Sequence, residues 1–285
     1  MVTVTAPIAA QPTLLADLAV EALHAEARLT PKPGLVDRRG SGAHADMTLA
    51  MLAASAEALR PAFAACAQAA ASIPLGAALR ARIGAVGRAG ETRMVQATGG
   101  VNTHRGALWA LGLLTAGAAA RGGIEAIVGF AAELARLPDA DAPAPDPRAH
   151  GRLARLRYGA AGAAGEARAG FPHVTDVALP ALHNARAQGA TEDQARLDAL
   201  LALMTRVDDT CLLHRGGPAG LTAVQAGAAA VLAAGGTATG AGQAALAALD
   251  EHTARAGLSP GGSADLLAAA LFLDALESMW SPCRP

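Results

Sequence analysis

Apolar residues recur along this chain at helical spacing, in stretches separated by short polar runs that hold glycine or proline. Leu14 to Leu29 reads as a first helix. It ends at Thr30-Pro31-Lys32-Pro33-Gly34, because a residue before proline is pushed out of helical geometry. Asp46 to about Ala71 and Leu75 to Gln96 read as the second and third helices, and Gly106 to Ala120 and Ile124 to Leu137 as the fourth and fifth. Residues 138–150, PDADAPAPDPRAH, form a proline-rich polar loop, the best candidate for a linker. Further helices are expected near 150–158, 174–188, 191–206, 217–234, 241–256 and 263–280. No segment alternates as a strand does, and no fixed-period repeat is present.

The expected fold class is therefore all-α. A flexible stretch, 1–13, precedes one bundle-like multi-helix domain over 14–280, with its glycine-rich polar loops clustered at one site. Composition agrees. Half the chain is hydrophobic, at 52%, and much of that is alanine, which loses no side-chain entropy in a helix. From Gly216 to Leu249 there is no charge. Few large apolar residues fill that stretch and Gly235-Gly236 breaks it, so two buried helices are expected rather than a membrane span. The apolar 263–280 helix could face a second copy in a homo-oligomer, but a core role is expected.

Charge and aromatic content narrow the function. A net charge of −1 argues against a general nucleic-acid binder, and 2% aromatics are too few for a base-stacking platform. Cys66, Cys211 and Cys283 are odd in number and widely spaced, which fits a reducing cytoplasm rather than a disulfide framework. The N-terminus lacks the basic region of a signal peptide, so none is expected.

The polar runs carry the chemistry. They are TPKPGLVDRRGSGAHADM (30–47), ATGGVNTHRG (97–106), GAAGEARAGFP (162–172), DDTCLLHRGG (208–217) and SPGGSAD (259–265). Each sets glycine, a charge or a small hydroxyl near a helix end, where free backbone N–H groups bind phosphate. The same pattern is ordinary capping chemistry when a segment is taken alone. Lys32 is the only lysine among 23 basic residues, and it sits between two prolines. Together the five segments read as a polyphosphate and metal site at one end of a helical bundle. His24, His173, His183 and His252 lie outside the segments' cores of charge and glycine, and are expected to be surface or core histidines.

Six blocks in fixed order, TPKPGLVD (30–37), GAHADM (42–47), ATGGVNTHRG (97–106), GAAGEARAGFP (162–172), DTCLLHRGG (209–217) and LSPGGSADLL (258–267), carry a resemblance. The chain resembles the triphosphoribosyl-dephospho-CoA synthase family, which makes the prosthetic-group precursor for the acyl carrier subunits of citrate lyase and malonate decarboxylase. Two positions depart from the family pattern: Ala164 stands for an arginine and Cys211 for an asparagine. Arg168, four residues beyond Ala164, could offer its charge from the same helical face.

The resemblance implies transfer of the triphosphoribosyl group of ATP to 3′-dephospho-CoA, with adenine released and Mg²⁺ as the expected cofactor. It implies a pathway link to an acyl carrier protein and its holo-transferase, in the cytoplasm, with no nucleic acid or membrane partner; malonate decarboxylase is favoured over citrate lyase. Breaking the N-glycosidic bond builds positive charge on the ribose, which calls for a carboxylate, a base for the attacking hydroxyl and a donor for the departing adenine. Glu166, the leading base, Asp37, His44, His104 and Glu91 are the catalytic candidates. Asp46, Asp209 and Asp265 are the metal candidates, Asp37 being an alternative for either duty. Phosphate contacts are expected from Lys32, Asn102, Thr103, Arg105, Arg215, Gly216, Gly217, Ser259, Gly261, Gly262 and Ser263. Lys32 is expected to stand in an exposed loop whose loss the fold tolerates. A nucleotide hydrolase and a non-catalytic binder of a CoA derivative are the alternatives.

Overall fold

The computed structural model describes residues 11–144 and 149–280. The first ten residues of the expected N-terminal tail, part of the 138–150 loop, and Cys283 lie outside the described residues. Among those described there is no strand, only an isolated bridge between Asp37 and Gly40, and the all-α class stands.

Among the described residues twelve α-helices follow one another: α1 Pro12–Arg28, α2 Leu49–Ser72, α3 Ala77–Ala97, α4 Arg105–Ala120, α5 Ile124–Arg136, α6 His150–Tyr158, α7 Gly162–Ala169, α8 Leu179–Ala187, α9 Glu192–Arg206, α10 Thr210–Ala233, α11 Gly240–Ala256 and α12 Gly261–Trp280. A π-helical turn, Val174–Ala178, runs directly into α8. α4 and α12 form the centre. α4 is apolar on nearly every side, burying residues from Ala107 to Ala118, and α12 buries almost every residue from Leu266 to Leu276. A helix apolar all round must be enclosed by others. α1 and α2 pack over α4, α9 and α1 pack over α12, and α12 takes the core role expected of it.

The α10–α11 hairpin differs from the expectation of two buried helices. It buries one stripe on each helix, Leu221, Val224, Ala228 and Val231 on α10 and Leu246 and Leu249 on α11. The remaining alanines face outward, where a methyl group costs little to expose. Among the described residues one helix, α2, is long and apolar enough by composition to cross a membrane; here it packs against α1, α3 and α4.

Three segments expected as loops are helical. GAAGEARA forms α7, TCLLHR makes the first turns of α10 behind its cap Asp209, and α12 starts at Gly261, two residues earlier than expected. α2 starts later than expected, at Leu49 with Thr48 as its cap, which leaves Asp46 in the preceding loop. That loop is held down by Val36 and Met47, which pack with Ala27 and Leu52.

Candidate functional site

One end of the bundle opens into a cavity of about 1010 Å³ that draws on all five polar segments. That size lies at the upper end of the ~300–1,000 Å³ usual for small-molecule sites. His44, Asp46, Asn102, Thr103, His104, Arg105, Glu166, Asp209, Arg215, Ser259, Gly261, Gly262, Asp265 and Lys32 line it. Asp37, Glu91, Gly216, Gly217 and Ser263 do not.

The start of three helices meets at the cavity floor, and two aspartates tie them together. Asp209 caps its own helix, α10, through the N–H groups of Cys211 at 2.9 Å and Leu212 at 3.4 Å. Its other oxygen accepts from the Ser263 N–H at 2.8 Å and hydroxyl at 3.1 Å, in the first turn of α12. A helix cap and a cavity-lining carboxylate thus coincide here. Burial pushes the Asp209 carboxyl up despite these bonds. Asp265, one turn into α12, lies against the start of α4. A Cβ on Gly106 would sit 2.0 Å from its Oδ2, so only glycine admits the carboxylate there. Burial, then the neighbouring Glu26 and Asp209 carboxylates, push Asp265 well above the usual range, while the Ala107 N–H works the other way.

Lys32 is not an exposed loop lysine. It is 1% exposed, and its Nζ donates to the Glu26 carboxylate at 2.5 Å and to the Glu26 carbonyl at 2.7 Å. Glu26 carries no signal in the sequence, because a glutamate in the last turn of an amphipathic helix reads as solvated. Asp37 also has an internal role. It accepts from the Lys32 and Arg39 N–H groups at 3.0 and 2.7 Å, and Arg39 clamps it to Asp250. Burial works to raise its pKa, but the Arg39 guanidinium and these N–H groups together hold it below the usual carboxylate range.

His104 is 4% exposed and its Nδ1 lies 2.8 Å from the Ser55 hydroxyl. Thr103 donates to Ser55 at 2.7 Å, so the Ser55 proton is free to go to Nδ1 and the ring proton sits on Nε2. Burial, aided by Lys32 and His24, drops the imidazole pKa to about 3. A ring this resistant to protonation is a neutral donor rather than a base.

Glu166, on α7, is buried and faces His173, which the sequence left as a bystander. The His173 N–H donates at 2.9 Å and its Nδ1 lies 2.6 Å from the other carboxylate oxygen. Glu166, followed by weaker contributions from the Arg206 backbone and Asp208, raises the His173 pKa. His173 lies seven residues beyond Glu166, and only the left-handed turn at Gly170 brings it back.

The expected phosphate cations are largely engaged. Arg105 pairs with Glu91 at the rim. Arg215 donates to the Ala43 and Gly257 carbonyls, each at 3.1 Å, and lies 3.2 Å from His44 Nδ1. His44 contacts Ser259 at 2.9 Å, and burial and Arg215 lower its pKa against the pull of Asp46. Gly216 and Gly217 sit at the bend in α10: Gly217 has φ 60° and ψ −164°, ahead of Pro218, and Gly216 lies under Leu258. Arg168 turns away from the cavity and donates to the Ala135 carbonyl at 3.3 Å, so it does not replace the arginine missing at Ala164.

Asp46, Asp209 and Asp265 are not joined in one ligand set. Among the described residues no three His, Cys, Asp or Glu side chains form a metal-holding group. Asp46 is largely exposed and Asp209 is filled by helix-capping donors.

Comparison with known proteins gives the family of the chain. Residues 12–284 match the CitG family, described as ATP:dephospho-CoA triphosphoribosyl transferase. This chain belongs to that family. Relatives agree along almost their full length. The 2-(5″-triphosphoribosyl)-3′-dephosphocoenzyme-A synthase of Klebsiella pneumoniae is 55% identical over 263 residues, covering 91% of this chain and 93% of its own. Probable synthases of the same name from Azotobacter vinelandii and Stutzerimonas stutzeri are each 56% identical, over 93% and 95% of this chain and 91% and 93% of theirs. No solved structure matches. The chain is thus a triphosphoribosyl transferase by family, as its sequence motifs implied.

Proposed function

We propose that this protein joins ATP to the 2′-hydroxyl of 3′-dephospho-CoA through ribose C1″, breaking the glycosidic bond and releasing adenine with the triphosphate intact. The match to the family over residues 12–284 carries this reading. A cavity of about 1010 Å³ with both acidic and basic walls supports it, because two nucleotide-sized substrates must meet there. Asp265, fixed at the start of α4, faces the ribose, and the positive charge developing there offsets the burial that favours its neutral form. Glu166 takes the proton of the attacking hydroxyl, its orientation set by His173. His104 supplies a neutral Nε2–H for the departing base.

The donor set does not fit a magnesium ion held by the protein alone. In this reading a divalent ion arrives with the ATP phosphates, keeping part of its water shell. The product is a prosthetic-group precursor for an acyl carrier subunit. The reading assigns it to malonate decarboxylase rather than citrate lyase on the Cys211 departure, and it places the reaction in the cytoplasm.

Chromatography of a reaction with ATP, dephospho-CoA and Mg²⁺ tests the proposal. Free adenine should form in step with the adduct and only with dephospho-CoA present. ADP or phosphate as the main product would mean hydrolysis, and no turnover would mean a binding protein.

A further inference from the structure

The cations that the motifs offer are tied to internal partners, yet the cavity has a basic wall that no motif contains. Arg152, Arg155 and Arg206 line it. None of the three enters an ion pair among the described residues, in contrast to Lys32, Arg105 and Arg39. Arg152 and Arg155 lie three apart on α6, which sets them on neighbouring positions of one helix face. Arg206 closes α9. α7 passes beneath: a Cβ on Gly162 would lie 3.1 Å from the Arg155 Cδ, so the stem of Arg155 rests on the glycine backbone beside Ala164. Asp208, two residues beyond Arg206, also lines the cavity and forms no ion pair with them among the described residues.

Three guanidinium groups lining one cavity, without a carboxylate partner among the described residues, call for an external anion of several charges. Guanidinium groups suit phosphate because their planar N–H forks match its oxygens two at a time. We propose that Arg152, Arg155 and Arg206 form the subsite for the polyphosphate chain of a nucleotide substrate, with Arg155 at its centre. The proposal rests on the transferase reading. That reaction brings two such chains into one cavity, the triphosphate of ATP and the diphosphate of dephospho-CoA, and the test tells them apart. The subsite also puts guanidinium groups beside Ala164 from a different helix.

Steady-state adenine release is measured for the parent, Arg155→Ala, Arg155→Lys, the Arg152→Ala/Arg155→Ala double variant and Arg206→Gln, varying each substrate in turn. The expected result is a rise of about 10- to 100-fold in KM for one substrate, the loss typical of a charged contact, with kcat within about threefold. Arg155→Lys should lose less than Arg155→Ala. A rise confined to ATP assigns the wall to the triphosphate, and one confined to dephospho-CoA assigns it to the diphosphate. Inorganic tripolyphosphate should compete with the substrate so identified and bind Arg155→Ala more weakly by calorimetry. Unchanged KM for both substrates, or a fall in kcat alone, overturns the subsite. If the double variant does not fold, the single variants and the tripolyphosphate measurement decide. A parent enzyme that releases no adenine would instead sink the transferase reading.

Discussion

Lys32 and Glu26 form a buried ion pair, 2.5 Å from Nζ to carboxylate, in which Lys32 also takes up the Glu26 carbonyl at the end of α1. The two side chains are 1% and 6% exposed. This pair joins the last turn of α1 to the 30–47 segment, so the lone lysine is part of the floor of the cavity.

Lys32→Ala should therefore destabilise the protein by about 3–5 kcal/mol, because it leaves the Glu26 charge buried without a partner. Thermal melts of Lys32→Ala, Glu26→Gln and a Lys32→Met/Glu26→Gln double variant check this. The double variant should recover most of the loss. A Lys32→Ala melt like the parent's would refute the structural role and return Lys32 to the position of a loop cation.

His104 should stay neutral through the working pH range, with its proton on Nε2, since its pKa is about 3. Nitrogen NMR of the ring should give one neutral tautomer from about pH 5 to 9, where an ordinary histidine would titrate. Ser55→Ala removes the partner of Nδ1 and should mix the tautomers. A ring that titrates near neutrality would contradict the buried Thr103–Ser55–His104 chain.

Asp265 should make stability depend on pH. Its folded pKa is raised well above 3.8 by burial and by Glu26 and Asp209. As pH climbs from about that value, the unfolded chain gives up its proton first and the folded chain keeps it longer, so stability falls until the raised pKa is passed. Asp265→Asn lacks this loss. It should melt higher than the parent near neutral pH, with the advantage shrinking toward pH 4, while adenine release drops sharply. Parallel melting curves across that range would show that Asp265 is not strained by burial.

Gly106→Ala would place a methyl group 2.0 Å from Asp265 Oδ2 and 2.9 Å from its Cγ. The carboxylate must move off the start of α4. A displacement near 1 Å at a reacting centre costs on the order of 100-fold in rate. The variant should lose kcat on that scale, with its melting temperature close to the parent's because alanine favours the helix. A kcat within threefold of the parent would mean that the position of Asp265 does not set the rate.

The helical class and the polar segments that line the cavity were legible in the sequence because both have local causes. Spacing of apolar residues along α4 and α12 marks them as enclosed helices, and glycine and proline mark where the helices end. Even so, local signals misplaced some edges. GAAGEARA and TCLLHR lie in polar, glycine-containing runs that read as loops, but they are helical in α7 and α10, where Asp209 caps α10 and both helices pack into the bundle.

Partnership was decided only by the tertiary structure. Whether Lys32 meets water or Glu26 depends on how the chain turns back after Leu29, and nothing in TPKPG specifies that. His173 becomes the partner of Glu166 only through the turn between α7 and the π-helical segment. Asp209 joins Ser263 across 54 residues. Arg152, Arg155 and Arg206 line one cavity only because α6 and α9 both pack against α10, whereas on the sequence they look like solvated helix arginines. A residue type limits which contacts a group can make. Burial and the distances between remote segments choose among them, and those are properties of the packed chain.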